Sequence, residues 1–187
     1  MPAVPVDDLL TRAKQLIVDF DEAVDQRVDR VRGHRTLDRV MYGATELGDW
    51  SLLWHLVGMG QALLPGRDPM SAVRLSAILG AESLLVNGGV KGLFRRHRPV
   101  WEEDRPRPHR IRQPATSSFP SGHASAAFTA AGVLSRGDPL WPLYYGVAAL
   151  VSSSRVYVKM HHASDVIAGA AIGVGVAAVA RRFLAKP

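Results

Sequence analysis

The chain has 187 residues, 47% hydrophobic and 21% charged, with no cysteine, a net charge of +6 and a pI near 10.2. That length fits one domain. The apolar content argues against disorder, and the lack of cysteine excludes a disulfide framework, a thiolate nucleophile or a cysteine metal site. The basic balance admits nucleic acid, an anionic membrane surface or a phosphorylated substrate, so the placement of the charges has to choose among them.

The N-terminal "MPAVPVDDLL" lacks a basic region followed by an apolar run, so no secretory signal is expected. Residues 6–31 then carry Val6, Leu10, Ala13, Ile17, Phe20, Val24, Val28 and Val31 at helical spacing, with charged side chains on most of the other face. This is an amphipathic helix. Its first expectation is an apolar stripe packed on the rest of the domain. A helix lying in a membrane interface or a short coiled coil are the alternatives.

Five apolar segments follow, over residues 49–64, 70–94, 122–135, 139–158 and 165–184, with Pro and Gly mostly between them. No stretch alternates with a period of two. The expected fold is therefore all-α: a helical bundle of about five membrane-embedded helices plus the amphipathic N-terminal helix. A single domain, 1–187, is expected, with 1–35 as the N-terminal helix and 36–187 as the core. Mean hydropathy is only +0.02, which keeps a soluble helical bundle as a rival. Two features favour the bilayer. Gly169 and Gly173 form a small-xxx-small step, and Trp50, Trp54, Trp141, Tyr144 and Tyr145 stand near segment ends, where aromatic belts occur.

Residues 95–120, "RRHRPVWEEDRPRPHRIRQPATSSFP", are basic, proline-rich and too long for a simple helix connection. A nucleic-acid module would offer aromatics on a sheet or a recognition helix. The chain shows neither, so no nucleic-acid partner is expected.

Three polar constellations remain. In "KGLFRRHRP", Lys91 and Arg98 lie seven residues apart, which on one helix aims both from one face. Two such cations make an anion site, although cations also complement a helix C-terminus. In "SSFPSGHASAAF", Ser121 and Gly122 open a helix whose free N–H groups favour an anion, with His123 at the mouth of the turn. Simple N-capping by Ser121 is the competing reading. In "SRVYVKMHHASD", Asp165 follows His161 by four residues. It can accept the Nδ1–H bond and leave Nε2 directed as nucleophile or base. A metal bound by His123, His161, His162 and Asp165 is disfavoured by the surrounding Arg and Lys.

Together these segments resemble the type-2 phosphatidic acid phosphatase superfamily, whose signature is Lys, six residues, Arg-Pro; then Pro-Ser-Gly-His; then Ser-Arg, five residues, His, three residues, Asp. The chain reads Lys91…Arg98-Pro99, Pro120-Ser121-Gly122-His123 and Ser154-Arg155…His161…Asp165, complete and in order. The resemblance covers roughly residues 50–184. His97 departs from it, standing where many members have another proline, which bears on substrate fit.

The resemblance implies an integral-membrane, metal-independent lipid phosphate phosphatase that needs no cofactor. By it, His161 attacks phosphorus to form a phosphohistidine, Asp165 orients it, and His123 protonates the leaving oxygen and then activates water. Lys91, Arg98, Ser121, Gly122 and Arg155 bind the phosphoryl oxygens. The implied substrate is a lipid phosphate. A polyprenyl-linked phosphate is favoured, with phosphatidic acid and phosphatidylglycerol phosphate as alternatives. The expected setting is a bacterial cell (inner) membrane, with membrane lipids as neighbours, a cytoplasmic-facing site under the positive-inside rule, and the N-terminal helix as the candidate contact for a homodimer. A soluble acid phosphatase or haloperoxidase-like enzyme and a non-catalytic anionic-lipid-binding membrane protein are the rival readings.

Overall fold

A computed structural model of the chain describes residues 6–101 and 113–184, and among them every regular element is helical. Glu102 and the rest of the basic loop through residue 112 lie outside the described residues. The helices are α1 (Val6–Asp29), α2 (Arg35–Gly48), α3 (Leu52–Ala62), α4 (Met70–Ser83), α5 (Gly122–Leu134), α6 (Trp141–Tyr157) and α7 (Ala163–Phe183). All five apolar segments are thus helical, with ends close to those expected.

α2 is an addition to the expected elements. Its sequence "RTLDRVMYGATELG" mixes charges through a short apolar face, so no separate apolar segment stands out. The face is real: Tyr42, Ala44, Thr45 and Gly48 are buried, and the helix packs on α6. Tyr42 joins Tyr157, Val158 and Met160 in a small second core, with Val28, Leu37 and Met41 at its edge.

α5 is the central helix. Its many alanines let neighbours approach closely, and Ala124, Ala127, Ala130 and Ala131 have no exposed surface. Around it the main core gathers Trp54, Leu75, Leu79, Leu134, Tyr144, Ala148 and Val151 from α3, α4, α5 and α6. α7 crosses α5 at closest range. A Cβ added at Gly169 would overlap the Ser121 carbonyl oxygen, and one at Gly173 the Ser125 carbonyl oxygen. Backbone cannot yield as a side-chain tip can. Gly173→Ala is therefore expected to lower the melting temperature in detergent, by the about 1–3 kcal/mol typical of overpacking. Gly175→Ala, which meets nothing within 4 Å, should leave it unchanged or raise it, because alanine favours the helix. Equal melting temperatures for the two variants would contradict this packing.

Among the described residues, two helical stretches are long and apolar enough to cross a bilayer: Met70–Leu93, of 24 residues, and Ala163–Phe183, of 21. α3 and α5 have 11 and 13 residues. At about 1.5 Å per residue they fall short of the roughly 30 Å hydrocarbon core. The aromatic belt is also smaller than expected. Trp50 and Trp141 are exposed, but Trp54 and Tyr144 sit in the core at 2% and 6% exposure. Tyr144 instead shares its hydroxyl with Gln61 Nε2 at 2.5 Å.

α1 departs in part from its expected orientation: Val24 and Val28 of the apolar stripe are half-buried, Val28 at the edge of the second core, but the rest of the stripe turns outward. Val6, Leu10, Leu16, Ile17, Phe20 and Val31 are exposed, and an acidic stripe docks inward. Asp21, Asp25 and Asp29 recur every four residues, so they share one face. Asp21 is buried and meets Arg96 and Ser164. Asp25 pairs with Lys159 at 3.2 Å and with Arg32 at 2.7 Å. Arg32 also donates to the carbonyls of Tyr157 and Val156 at the end of α6. The apolar pattern was present in the sequence, but of the cations that attract the other face only Arg32 is near in the chain; Arg96 and Lys159 lie far away. Lys159, at a positive φ of 52°, is thereby an anchor for α1.

Candidate active site

The site forms where α4, α5, α6 and α7 meet at one end of the bundle. α4 continues from Ser83 through a π-helical turn, Leu84–Gly89, and a tighter turn, Val90–Leu93. Gly88, Gly89 and Gly92 weaken the helix there. Phe94 turns extended and residues 94–101 form no helix, so Lys91 and Arg98 do not share a helix as the spacing suggested. They converge because the chain turns back: Ser118 N–H donates to the Arg96 carbonyl at 2.9 Å, and Arg96 N–H to Ser117 Oγ at 3.2 Å. Arg98 Nη1 then donates to the Met160 carbonyl at 2.7 Å and lies 3.4 Å from His161 Nε2.

A cavity of about 600 Å³ opens at this point. Lys91, Arg98, Gly122, His123, Arg155 and His161 line it, together with Asp49, Glu82 and Asn87. Six of the eight residues singled out from the sequence therefore face one space. The other two stand behind it. Ser121 is fully buried, and its Oγ caps α5 by accepting from Ala124 N–H at 3.5 Å. The capping reading thus holds for Ser121, and its hydroxyl does not reach the cavity wall. Asp165 is also fully buried.

His161 is 2% exposed. Its Nδ1 lies 2.6 Å from the Ser118 carbonyl oxygen, whereas Asp165 Oδ2 is 3.7 Å away. The expected Nδ1–H bond to Asp165 is corrected: the backbone carbonyl accepts it, and the carboxylate acts at slightly longer range. The tautomer is the same, with the proton on Nδ1 and the Nε2 lone pair toward the cavity. Burial pushes the imidazole down to about 3, against the pull of Asp165. The ring is therefore neutral at about pH 7. His162 is distinct from it. Its backbone N–H donates to Asp165 Oδ2 at 2.9 Å at the start of α7, a capping contact.

Arg155 is 4% exposed and donates through Nη1 to Thr45 Oγ1, while its Nε has no partner among the described residues. A buried unpaired guanidinium N–H beside a cavity is a donor waiting for an anion. Gly122 lies so near Asn87 that a Cβ would come within 2.8 Å of Oδ1, so a side chain there would crowd the wall.

Asp49 was not foreseen. Its Oδ1 is 2.8 Å from His123 Nε2, and this bond holds the Asp49 carboxyl below the ordinary carboxylate range. Trp50 and Ser51 follow with φ of 54° and 56°. Left-handed non-glycine residues cost about 1–2 kcal/mol each. This turn carries the chain from α2 into α3 and leaves Asp49 against His123. The only trace in the sequence is an aspartate at a helix boundary, which is commonplace. Ser118 was missed for a different reason: it acts through its carbonyl, which every residue has.

The wall thus offers three cations, a neutral histidine whose Nε2 faces Arg98 Nη1 at 3.4 Å, and a second histidine bonded to a carboxylate. That set can hold a tetrahedral anion and pass its central atom to a nucleophile.

The sequence model of the PAP2 superfamily matches residues 71–187. An undecaprenyl-diphosphatase of Sulfolobus acidocaldarius is 46% identical over 63 residues, 33% of this chain and 31% of that protein, so the match spans about a third of that relative's length. A decaprenylphosphoryl-5-phosphoribose phosphatase of Mycobacterium tuberculosis is 30% identical over 139 residues, 73% of this chain and 75% of that one. The crystal structure of a transmembrane PAP2-type phosphatidylglycerolphosphate phosphatase from Bacillus subtilis superposes with a TM-score of 0.69 at 26% identity, covering 90% of this chain and 86% of the other.

Proposed function

The chain belongs to the PAP2 superfamily and is a lipid phosphatase, and from that premise we propose that it hydrolyses a polyprenyl-linked phosphate or diphosphate through a phosphohistidine. The observation that carries this is the convergence of Lys91, Arg98 and Arg155 on the cavity that His161 and His123 share.

His161 Nε2 attacks phosphorus in line; an N–P bond forms as the bond to the lipid oxygen breaks. His123 gives its proton to that leaving oxygen. A water then attacks the phosphohistidine, His123 takes its proton, and inorganic phosphate leaves with His161 restored. Lys91, Arg98, Arg155 and the Gly122 N–H bear the charge on the equatorial oxygens. The Ser118 carbonyl and Asp165 stabilise the imidazolium as it forms. Asp49, also on the cavity wall, holds His123 through Nε2 at 2.8 Å. Ser121 contributes by fixing the start of α5.

Two of the relatives are named for polyprenyl phosphates, which favours that class over phosphatidic acid or phosphatidylglycerol phosphate. The five helices α3–α7 form the membrane-embedded bundle, in a bacterial inner membrane. Supporting this, Leu56 and Met59 of α3, Leu143 of α6, and Ile167 and Val179 of α7 turn apolar side chains outward. The described chain works as one unit with α1 docked on the site.

The test is phosphate release from farnesyl diphosphate, dioctanoyl phosphatidic acid and phosphatidylglycerol phosphate in detergent with excess EDTA. Release is expected on all three, fastest on the diphosphate. Strict dependence on an added divalent metal would overturn the mechanism, and fastest release from a glycerolipid would overturn the substrate class.

A further inference from the structure

Asp165 is held from behind by a network that begins on α1. Arg96 Nη1 donates to Asp165 Oδ1 at 2.6 Å, and Nη2 of the same guanidinium donates to Asp21 Oδ2 at 2.5 Å. Asp21 also accepts from the Ser164 N–H at 2.8 Å and the Ser164 hydroxyl at 2.7 Å. Arg96 Nη1 lies 2.7 Å from that same hydroxyl. Asp21 is 5% exposed and Asp165 fully buried.

A guanidinium is planar, with donors fixed in that plane. Bridging two carboxylates sets both its position and its tilt, and so sets where Asp165 Oδ1 must stand. Asp165 Oδ2 is the oxygen near His161 Nδ1. If Asp21 is lost, the Nη2 side of Arg96 is unrestrained and Ser164, in the first turn of α7, loses its acceptor. The Asp165 carboxylate then keeps its Oδ2 contacts, to the His162 N–H at 2.9 Å and to His162 Nδ1 at 3.3 Å, but loses the fixed donor on Oδ1, so it can pivot about Oδ2 relative to His161.

We infer that Asp21 is a positioning residue for the nucleophile: through Arg96 and Ser164 it fixes the Asp165 carboxylate and thereby the orientation of the His161 ring. The inference rests on His161 as nucleophile, and Asp21 lies outside the residues 71–187 that the superfamily's sequence model matches. It also gives α1 a role in the chemistry. The acidic stripe divides its work, since Asp21 reaches the site network while Asp25, one turn on, pairs with Lys159 and Arg32.

The test uses the full chain in detergent with dioctanoyl phosphatidic acid. Asp21→Asn, nearly isosteric, is expected to lower kcat by about 10–100-fold, the range for partners that orient a site group. KM should change by less than about threefold, because binding groups are untouched. Asp25→Asn removes the neighbouring α1 contacts to Lys159 and Arg32 and should keep kcat near that of the unaltered chain. In the Asp21→Asn, Arg96→Ala double variant, kcat should fall no more than about threefold below Arg96→Ala alone, since coupled residues are not additive. Arg96→Lys, which keeps the charge but cannot bridge both carboxylates, should show the same kcat-only loss and covers the case in which Asp21→Asn fails to fold. Unchanged kcat in Asp21→Asn or Arg96→Lys, equal losses in Asp21→Asn and Asp25→Asn, or fully additive losses in the double variant would each overturn the inference. His161→Ala runs in parallel: if it stays active, the nucleophile assignment has failed instead.

Discussion

Replacing His161 with alanine is expected to lower lipid phosphate hydrolysis by about 10,000-fold or more, the scale seen when a nucleophile and its partners are disabled. His162 is next in the chain, but it opens α7, with its backbone N–H on Asp165 Oδ2 at 2.9 Å. His162→Ala keeps that backbone bond, so it should retain most of its turnover. A dead His162→Ala beside an active His161→Ala would reverse the assignment. Acid quenching of the reaction with labelled substrate and analysis for an acid-labile phosphoramidate gives a direct check, with label expected on His161. The pH profile follows from burial. His161 is held down to about 3, so it stays neutral as pH falls through the ordinary histidine range near 6.5. Its protonation should therefore leave kcat/KM intact down to about pH 5, and an acid limb at 6.5 that disappears with a change at His161 would contradict the burial argument.

The second large effect is expected at His123, and it should depend on the leaving group. A lipid alcohol leaves poorly as an alkoxide, so its departure needs a proton. General acid catalysis contributes about 100- to 10,000-fold, and His123→Ala should lose that much on dioctanoyl phosphatidic acid. An activated aryl phosphate, such as p-nitrophenyl phosphate, releases a stable anion and should suffer far less. Asp49→Asn should follow the same pattern at about tenfold on the lipid substrate, as for other outer partners of a site histidine. Its carboxylate lies 2.8 Å from His123 Nε2 and favours the charged imidazolium that must hold the proton. Equal losses of His123→Ala on both substrates would remove His123 from the acid role, and full activity of Asp49→Asn on the lipid would make its bond to His123 incidental.

The sequence by itself determined that the chain is helical, where its apolar segments lie, and which side chains could converge on a phosphoryl group. Local periodicity carries the first two. The third was legible because Lys91, Arg98, Gly122, His123, Arg155 and His161 come in short runs, and each run is presented to the cavity by one helix end or turn. Even there, the route differed for Lys91 and Arg98, which meet through an extended return of the chain. What only the tertiary structure decided is which atoms hold those residues in place. Asp49 meets His123 across 74 residues and Asp21 meets Ser164 across 143. The Ser118 oxygen that fixes the His161 tautomer belongs to the backbone, so no side-chain pattern can announce it. α1 is the same lesson at the scale of a helix. Its apolar stripe was plain, yet most of it faces outward while the helix docks through Asp21, Asp25 and Asp29, because charge pairing with Arg96 and Lys159 depends on chain closure, which sequence periodicity does not record.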